Sequence, residues 1–103
     1  MKIPLIDLSA QHKVLRKELE RAVGKVMDSQ RFIQGDSVRA LEKKVASKVG
    51  SKYAVAVASG SDALYLSLGA LGVGPGDEVI TTPFTCFATA GSISRMGATP
   101  VFV

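Results

Sequence analysis

The chain has 103 residues, 47% hydrophobic, 6% aromatic and 21% charged, a composition that excludes disordered and fibrous classes and suits one small domain. No apolar run approaches the roughly 20 residues that cross a bilayer, and Asp7 interrupts the short apolar stretch Ile3 to Leu8, leaving no signal-peptide core. The net charge of +4 is uneven, with 12 Lys/Arg against 6 Asp/Glu in residues 1–52 and 1 against 3 in residues 53–103, but the basic residues mix with Glu18, Glu20 and Glu42 and lack interleaved aromatics, which reads as solvated helix faces and not a nucleic-acid surface.

Residues 3–8 read as an extended arm, because Pro4 disfavours a helix start before it. Ser9 is the expected N-cap of a helix running to about Ser29, with Leu15, Leu19, Ala22, Val23, Val26 and Met27 forming one buried face. His12, in its first turn, has no Cys, Asp or Glu at ligand spacing and reads as a surface histidine, not a metal ligand. Phe32-Ile33-Gln34-Gly35 breaks the pattern. A second helix follows from Asp36 or Ser37, carries Val38, Leu41, Val45 and Val49, and stops at Gly50.

The period changes at Tyr53. The apolar run Tyr53 to Ala58 fits a strand covered on both faces, as in a parallel sheet. A third helix is expected from about Ser61, burying Leu64, Leu68 and Leu71 and ending at Gly72. Pro75-Gly76 suits the centre of a type II turn. A second strand, Glu78 to Thr82, is closed by Pro83; a fourth helix runs from about Phe87 to Met96; a third strand begins at Pro100. Strand, helix, strand, helix, strand predicts parallel strands joined by crossovers. The chain thus divides into an arm with two amphipathic helices, 1–52, and the start of an α/β domain, 53–103. It stops on Val101-Phe102-Val103 with no closing helix, which implies the front piece of a larger protein.

In parallel sheets ligands gather beyond the carboxyl ends of the strands. Two segments occupy that edge, Ser59-Gly60-Ser61-Asp62 and Thr82 to Phe87, while Gly74 to Asp77 lies at the opposite edge. Gly60 lets a ligand approach the backbone, and the following residues expose the unpaired N–H groups of a helix start, with the Ser61 hydroxyl beside them. The helix dipole favours a negative group there. A simple cap is the competing reading, since Ser59 or Ser61 could satisfy the same amides and the Asp62 carboxylate opposes an anion. From these residues alone the two readings balance. Neither G-x-G-x-x-G nor Gly-Lys-Ser/Thr occurs, so dinucleotide and P-loop chemistry fall behind.

Ala58-Ser-Gly-Ser-Asp-Ala-Leu64, Gly72 to Pro83, Thr85-Cys-Phe-Ala-Thr89 and Gly97 to Val103, with Ile3 to Leu8 and Phe32-Ile33-Gln34-Gly35 in front, resemble the opening part of the DegT/DnrJ/EryC1/StrS aminotransferases. The resemblance covers essentially the whole chain. It implies the N-terminal part of the large α/β domain of a transferase of the aspartate-aminotransferase fold type, a mostly parallel sheet with flanking helices. It implies pyridoxal 5'-phosphate (PLP) as cofactor, with Gly60, Ser61 and Asp62 at its phosphate. Cys86 falls where the family usually sets an aromatic residue against the pyridine ring, a departure for which Phe87 is the candidate compensation. No His or Lys lies near Cys86 in sequence to activate it as a nucleophile.

The lysine that PLP chemistry requires matches none of residues 2, 13, 17, 25, 43, 44, 48 and 52, so the resemblance places it beyond Val103 and leaves no catalytic residue in this segment. The implied activity of the intact protein is conversion of a nucleotide-linked keto sugar to an amino sugar, with glutamate as amino donor, in a homodimer. A sugar dehydratase of the same family and a non-catalytic phosphate-binding α/β module are the alternatives. The single cysteine rules out an internal disulfide and gives no sign of an oxidising compartment, so the cytoplasm is expected.

Overall fold

The structure, a computed structural model, describes residues 4–103. Ile3, where the expected arm begins, lies outside the described residues, and residues 4–8 carry no helix or strand. Two compact units follow one another along the chain, Met1–Ala54 and Val55–Val103.

Helix α1 spans Ser9–Ser29. Ser9 is its first residue and not its cap: the Asp7 Oδ1 accepts the Ser9 N–H at 2.9 Å. A carboxylate suits this place because it answers both an unpaired amide and the positive helix end. Hydrogen bonding by the Ser9 side chain first, and its N–H second, holds the Asp7 carboxyl below its ordinary 3.8. At the far end Gln30 turns left-handed, φ 53°, and donates to the Met27 carbonyl.

The loop to the next helix is tightly built. Gln34 is also left-handed, φ 48°, and a Cβ at Gly35 would sit 2.6 Å from the Arg31 carbonyl oxygen, so only glycine fits there. Helix α2, Asp36–Val49, then starts with Asp36 between Arg31 and Arg39, at 3.4 and 3.8 Å. All three side chains are exposed, so the pairs contribute little individually. Gly50, φ 70°, ends the helix, and the Ser51 N–H reaches back to the Ala46 carbonyl, a Schellman-type closure. The expected buried face of α1 is not buried: Leu15, Leu19, Val23 and Met27 are exposed, as are Leu41, Val45 and Val49 of α2. The spacing is that of one helix face, but no described element covers it; Ala46 is the buried apolar side chain of this unit.

Residues 53–58, across the boundary of the two units, are not a strand among the described residues, and Tyr53, Val55 and Val57 are exposed. A strand requires a hydrogen-bonded neighbour, and the two described strands pair with each other. Helix α3, Gly60–Ala70, is followed by Leu71 and a left-handed Gly72, φ 76°. The expected turn is present: Gly76 has φ 92°, the Asp77 N–H donates to the Gly74 carbonyl at 3.1 Å, and Asp77 Oδ2 accepts the Gly74 N–H at 2.8 Å. Strand β1, Glu78–Thr81, runs parallel to β2, Thr99–Phe102, with Glu78 opposite Thr99 and Ile80 opposite Val101. Helix α4, Ala88–Arg95, connects them and packs on α3 and on both strands. Ser92, Ile93 and Ala98 are the buried residues of this layer. Among the described residues no helix is long and apolar enough to cross a membrane.

Gly97, φ 80°, turns the chain from α4 into β2 against Pro75: a Cβ there would lie 3.0 Å from Pro75 Cγ. In the protein that carries this chain, Gly97→Ala is expected to lower stability by more than about 1 kcal/mol in chemical denaturation. Gly24→Ala, where the added Cβ meets nothing within 4 Å in mid-helix, is expected to stabilise by about 0.5–1 kcal/mol. For Asp7 the folded value is depressed, so its contribution is present above pH 3.8 and is lost as pH falls through the lower folded value. Amide exchange in the first turn of α1 should quicken on that descent, and Asp7→Asn should abolish the pH dependence.

Candidate functional site

The start of α3 is fixed by one hydroxyl. Ser59 is extended, φ −159° and ψ 167°, and its Oγ accepts the Asp62 N–H at 3.1 Å while its carbonyl accepts the Ala63 N–H at 3.0 Å. The amides of Gly60 and Ser61 come ahead of both bonds, in the positions a helix leaves without internal partners. A Cβ at Gly60 would meet nothing within 4 Å, so the space above these amides is open to a ligand and the chain itself does not require glycine there. Asp62, half-buried, gives its N–H to Ser59, so that amide is engaged within the turn. Ser59, not Ser61, is the capping residue.

Ser61 opens onto a cleft of about 440 Å³ shared with Phe87, Ala88, Gly91, Ser92, Ser94 and Arg95. The cleft exists because α4 lies along α3, with Thr82 to Phe87 bringing the chain out of the carboxyl end of β1. The turn at Gly74–Asp77 enters β1 at the opposite end, as expected. Cys86 is exposed one residue before this wall and is not among the residues that line the cleft; its carbonyl accepts the Thr89 N–H at 3.3 Å. The structure therefore joins Gly60, Ser61 and Asp62 at one helix start and leaves Cys86 on the approach to α4.

Three further residues belong to this place. Ser92, 4% exposed, sets its Oγ 2.7 Å from the Ala88 carbonyl and 3.4 Å from the Ser61 carbonyl. A hydroxyl carries one proton, so the shorter bond dominates and the longer contact registers how closely α4 meets the start of α3. Arg95 stacks its guanidinium over the Tyr65 ring at 4.4 Å, a cation–π contact one helical turn beyond Ser61. Phe87 leans over Gly91 in the same wall. Of these only Phe87 was named from the sequence, beside Cys86; a serine inside a short helix gives no such sign.

The features that suit a phosphate are the Gly60 and Ser61 amides ahead of the cap, Ser61 on the cleft and the positive helix end, whose dipole adds about 0.3–1 kcal/mol. The Asp62 carboxylate in the same turn opposes it, so the donors must outweigh that charge.

The family pattern of the DegT/DnrJ/EryC1/StrS aminotransferases matches residues 13–103. A protein of Geobacillus stearothermophilus named as a pleiotropic regulatory protein is 53% identical over all of this chain and 28% of its own length. The UDP-N-acetyl-3-dehydro-alpha-D-glucosamine 3-aminotransferase of Acidithiobacillus ferrooxidans is 50% identical over 98% of this chain and 27% of its own. Among solved structures, DesV of Streptomyces venezuelae in complex with a ketimine intermediate superposes with a TM-score of 0.92 at 42% identity, over 99% of this chain and 28% of that one. The chain belongs to this PLP-dependent family, with the α/β fold of its solved members, and spans a little over a quarter of the length of these relatives. In the intact protein Ser61→Ala is expected to weaken PLP binding about tenfold or more, the worth of a hydrogen bond to a charged group, read from the dissociation constant; unchanged affinity would leave Ser61 without a ligand role.

Proposed function

We propose that this chain is the N-terminal segment of a PLP-dependent aminotransferase that converts a nucleotide-linked keto sugar to an amino sugar, with glutamate as amino donor. The observation that carries the reading is the start of α3, where the Gly60 and Ser61 amides come ahead of the amide that Ser59 caps and Ser61 lines a cleft, in a chain of an aminotransferase family. Named relatives act on nucleotide sugars, and solved members include PLP and PMP forms; both support the substrate class and the cofactor.

When bound, PLP supplies the electron sink through which an amino group leaves an amino acid and joins a carbonyl. This chain's part is to hold. The Gly60 and Ser61 N–H groups and the Ser61 hydroxyl bind the phosphate, Ser59 keeps the helix start in shape, and Ser92 keeps α4 against it. Residues 1–52 form an arm and two helices, and residues 53–103 open the cofactor-binding domain. None of the chain's own lysines is assigned the amine role, so the catalytic amine belongs to sequence outside these 103 residues. A homodimer in the cytoplasm completes the proposal.

The test uses the intact protein. It is expected to show the visible absorption of bound PLP, abolished by borohydride, and to turn glutamate into 2-oxoglutarate when given a nucleotide-linked keto sugar. Protein that binds no PLP would overturn the reading. Loss of a sugar hydroxyl with no nitrogen gained would replace it with the dehydratase.

A further inference from the structure

Helix α3 carries the amides of the candidate phosphate site in its first turn, and among the described elements it packs chiefly on α4, which in turn packs on both strands. The place of Ser61 relative to the sheet is therefore passed through α4. Ser61, Tyr65 and Gly69 stand at a spacing of four, on one face of α3, and each meets a residue of α4 or its C-cap. The Ser61 carbonyl lies 3.4 Å from the Ser92 hydroxyl, the Arg95 guanidinium stands 4.4 Å from the centre of the Tyr65 ring, and a Cβ at Gly69 would lie 3.6 Å from Met96 Cε. The order 61, 65, 69 against 92, 95, 96 sets the two helices side by side, running the same way in one register.

The three contacts differ in kind. The Met96 contact is dispersion, which any apolar neighbour would supply. The Ser92 proton goes first to the Ala88 carbonyl at 2.7 Å, so its contact with Ser61 is the weaker one. The Tyr65–Arg95 stack is directional and carries charge, a planar guanidinium over the face of a ring. Arg95 also stands in the last turn of α4, where any cation suits the negative helix end. That role needs no ring beside it. The ring comes from Tyr65, one turn beyond Ser61 in a hydrogen-bonded helix, so a shift at Tyr65 carries the Ser61 amide with it.

We propose that Arg95, acting through Tyr65, is a positioning residue for the cofactor phosphate: the stack holds α3 in register on α4 and so sets where the Gly60 and Ser61 amides stand. The proposal rests on the PLP reading above. In the intact protein, Arg95→Met and Tyr65→Leu are each expected to weaken PLP binding about two- to fivefold, and the double variant is expected to lose no more than either one alone. Tyr65→Phe, which keeps the ring face, is expected to retain wild-type affinity. The phosphorus resonance of bound PLP should shift in both single variants and not in Tyr65→Phe, a change that a loss of stability alone does not produce. Should Arg95→Met fail to fold, Arg95→Lys keeps the charge at the helix end while giving up the planar stack, and the same loss is expected. Wild-type affinity in Tyr65→Leu, or losses that multiply in the double variant, would overturn the assignment and leave Arg95 as a helix-end charge. A wild-type protein that binds no PLP would overturn the functional reading itself, so the two failures are distinct.

Discussion

A helix cannot satisfy its own first amides, and the way α3 meets that constraint shapes everything around its start. Ser59 reaches forward to the Asp62 N–H and its carbonyl takes the Ala63 N–H, which anchors the helix without closing it. The amides of Gly60 and Ser61 come ahead of both bonds. The cap therefore both stabilises the helix, by about 0.5–2 kcal/mol for a serine in this role, and leaves the remaining amides available to an outside anion.

The two edges of the second unit are built differently. At the edge opposite the cleft, Pro75 packs so closely on Gly97 that a side chain there would crowd its ring, and Gly74 and Asp77 exchange two hydrogen bonds. That edge is locked by local chemistry. At the cleft edge the residues after β1 carry exposed Phe84, Cys86 and Phe87, and the order comes from α4, held by buried Ser92 and Ile93. The open edge is the carboxyl end of the strand, where ligands bind on parallel sheets.

Local signals in the sequence were enough for the helices and turns. Gly50, Asp36 and Pro75-Gly76 act within a few residues of themselves, so the bounds of α2 and the turn before β1 could be read directly. Asp7 was harder, because a carboxylate two residues ahead of the helix does the work expected of Ser9. Burial could not be read in this way. The stripe Leu15, Leu19, Val23 and Met27 has the period of a covered face, yet what covers a face lies elsewhere in sequence, and here those residues are exposed. The same holds for the run 53–58, whose apolar pattern is that of a central strand but whose ladder needs neighbours from outside the described strands. At the site, the helix start was legible to within a residue, with the cap left open between Ser59 and Ser61, while Ser92 depends on how α4 lies against α3.

The run 53–58 also bears on synthesis. In relatives of which this chain spans a little over a quarter, the matching residues leave the ribosome long before most of the protein exists. At roughly 5–20 residues per second, the remaining chain takes tens of seconds to appear. Val55 and Val57 are exposed among the described residues, and an apolar run of this pattern offers an edge for pairing until its sheet neighbours are made. An apolar run suited to the centre of a parallel sheet thus carries an aggregation hazard for as long as that sheet is incomplete.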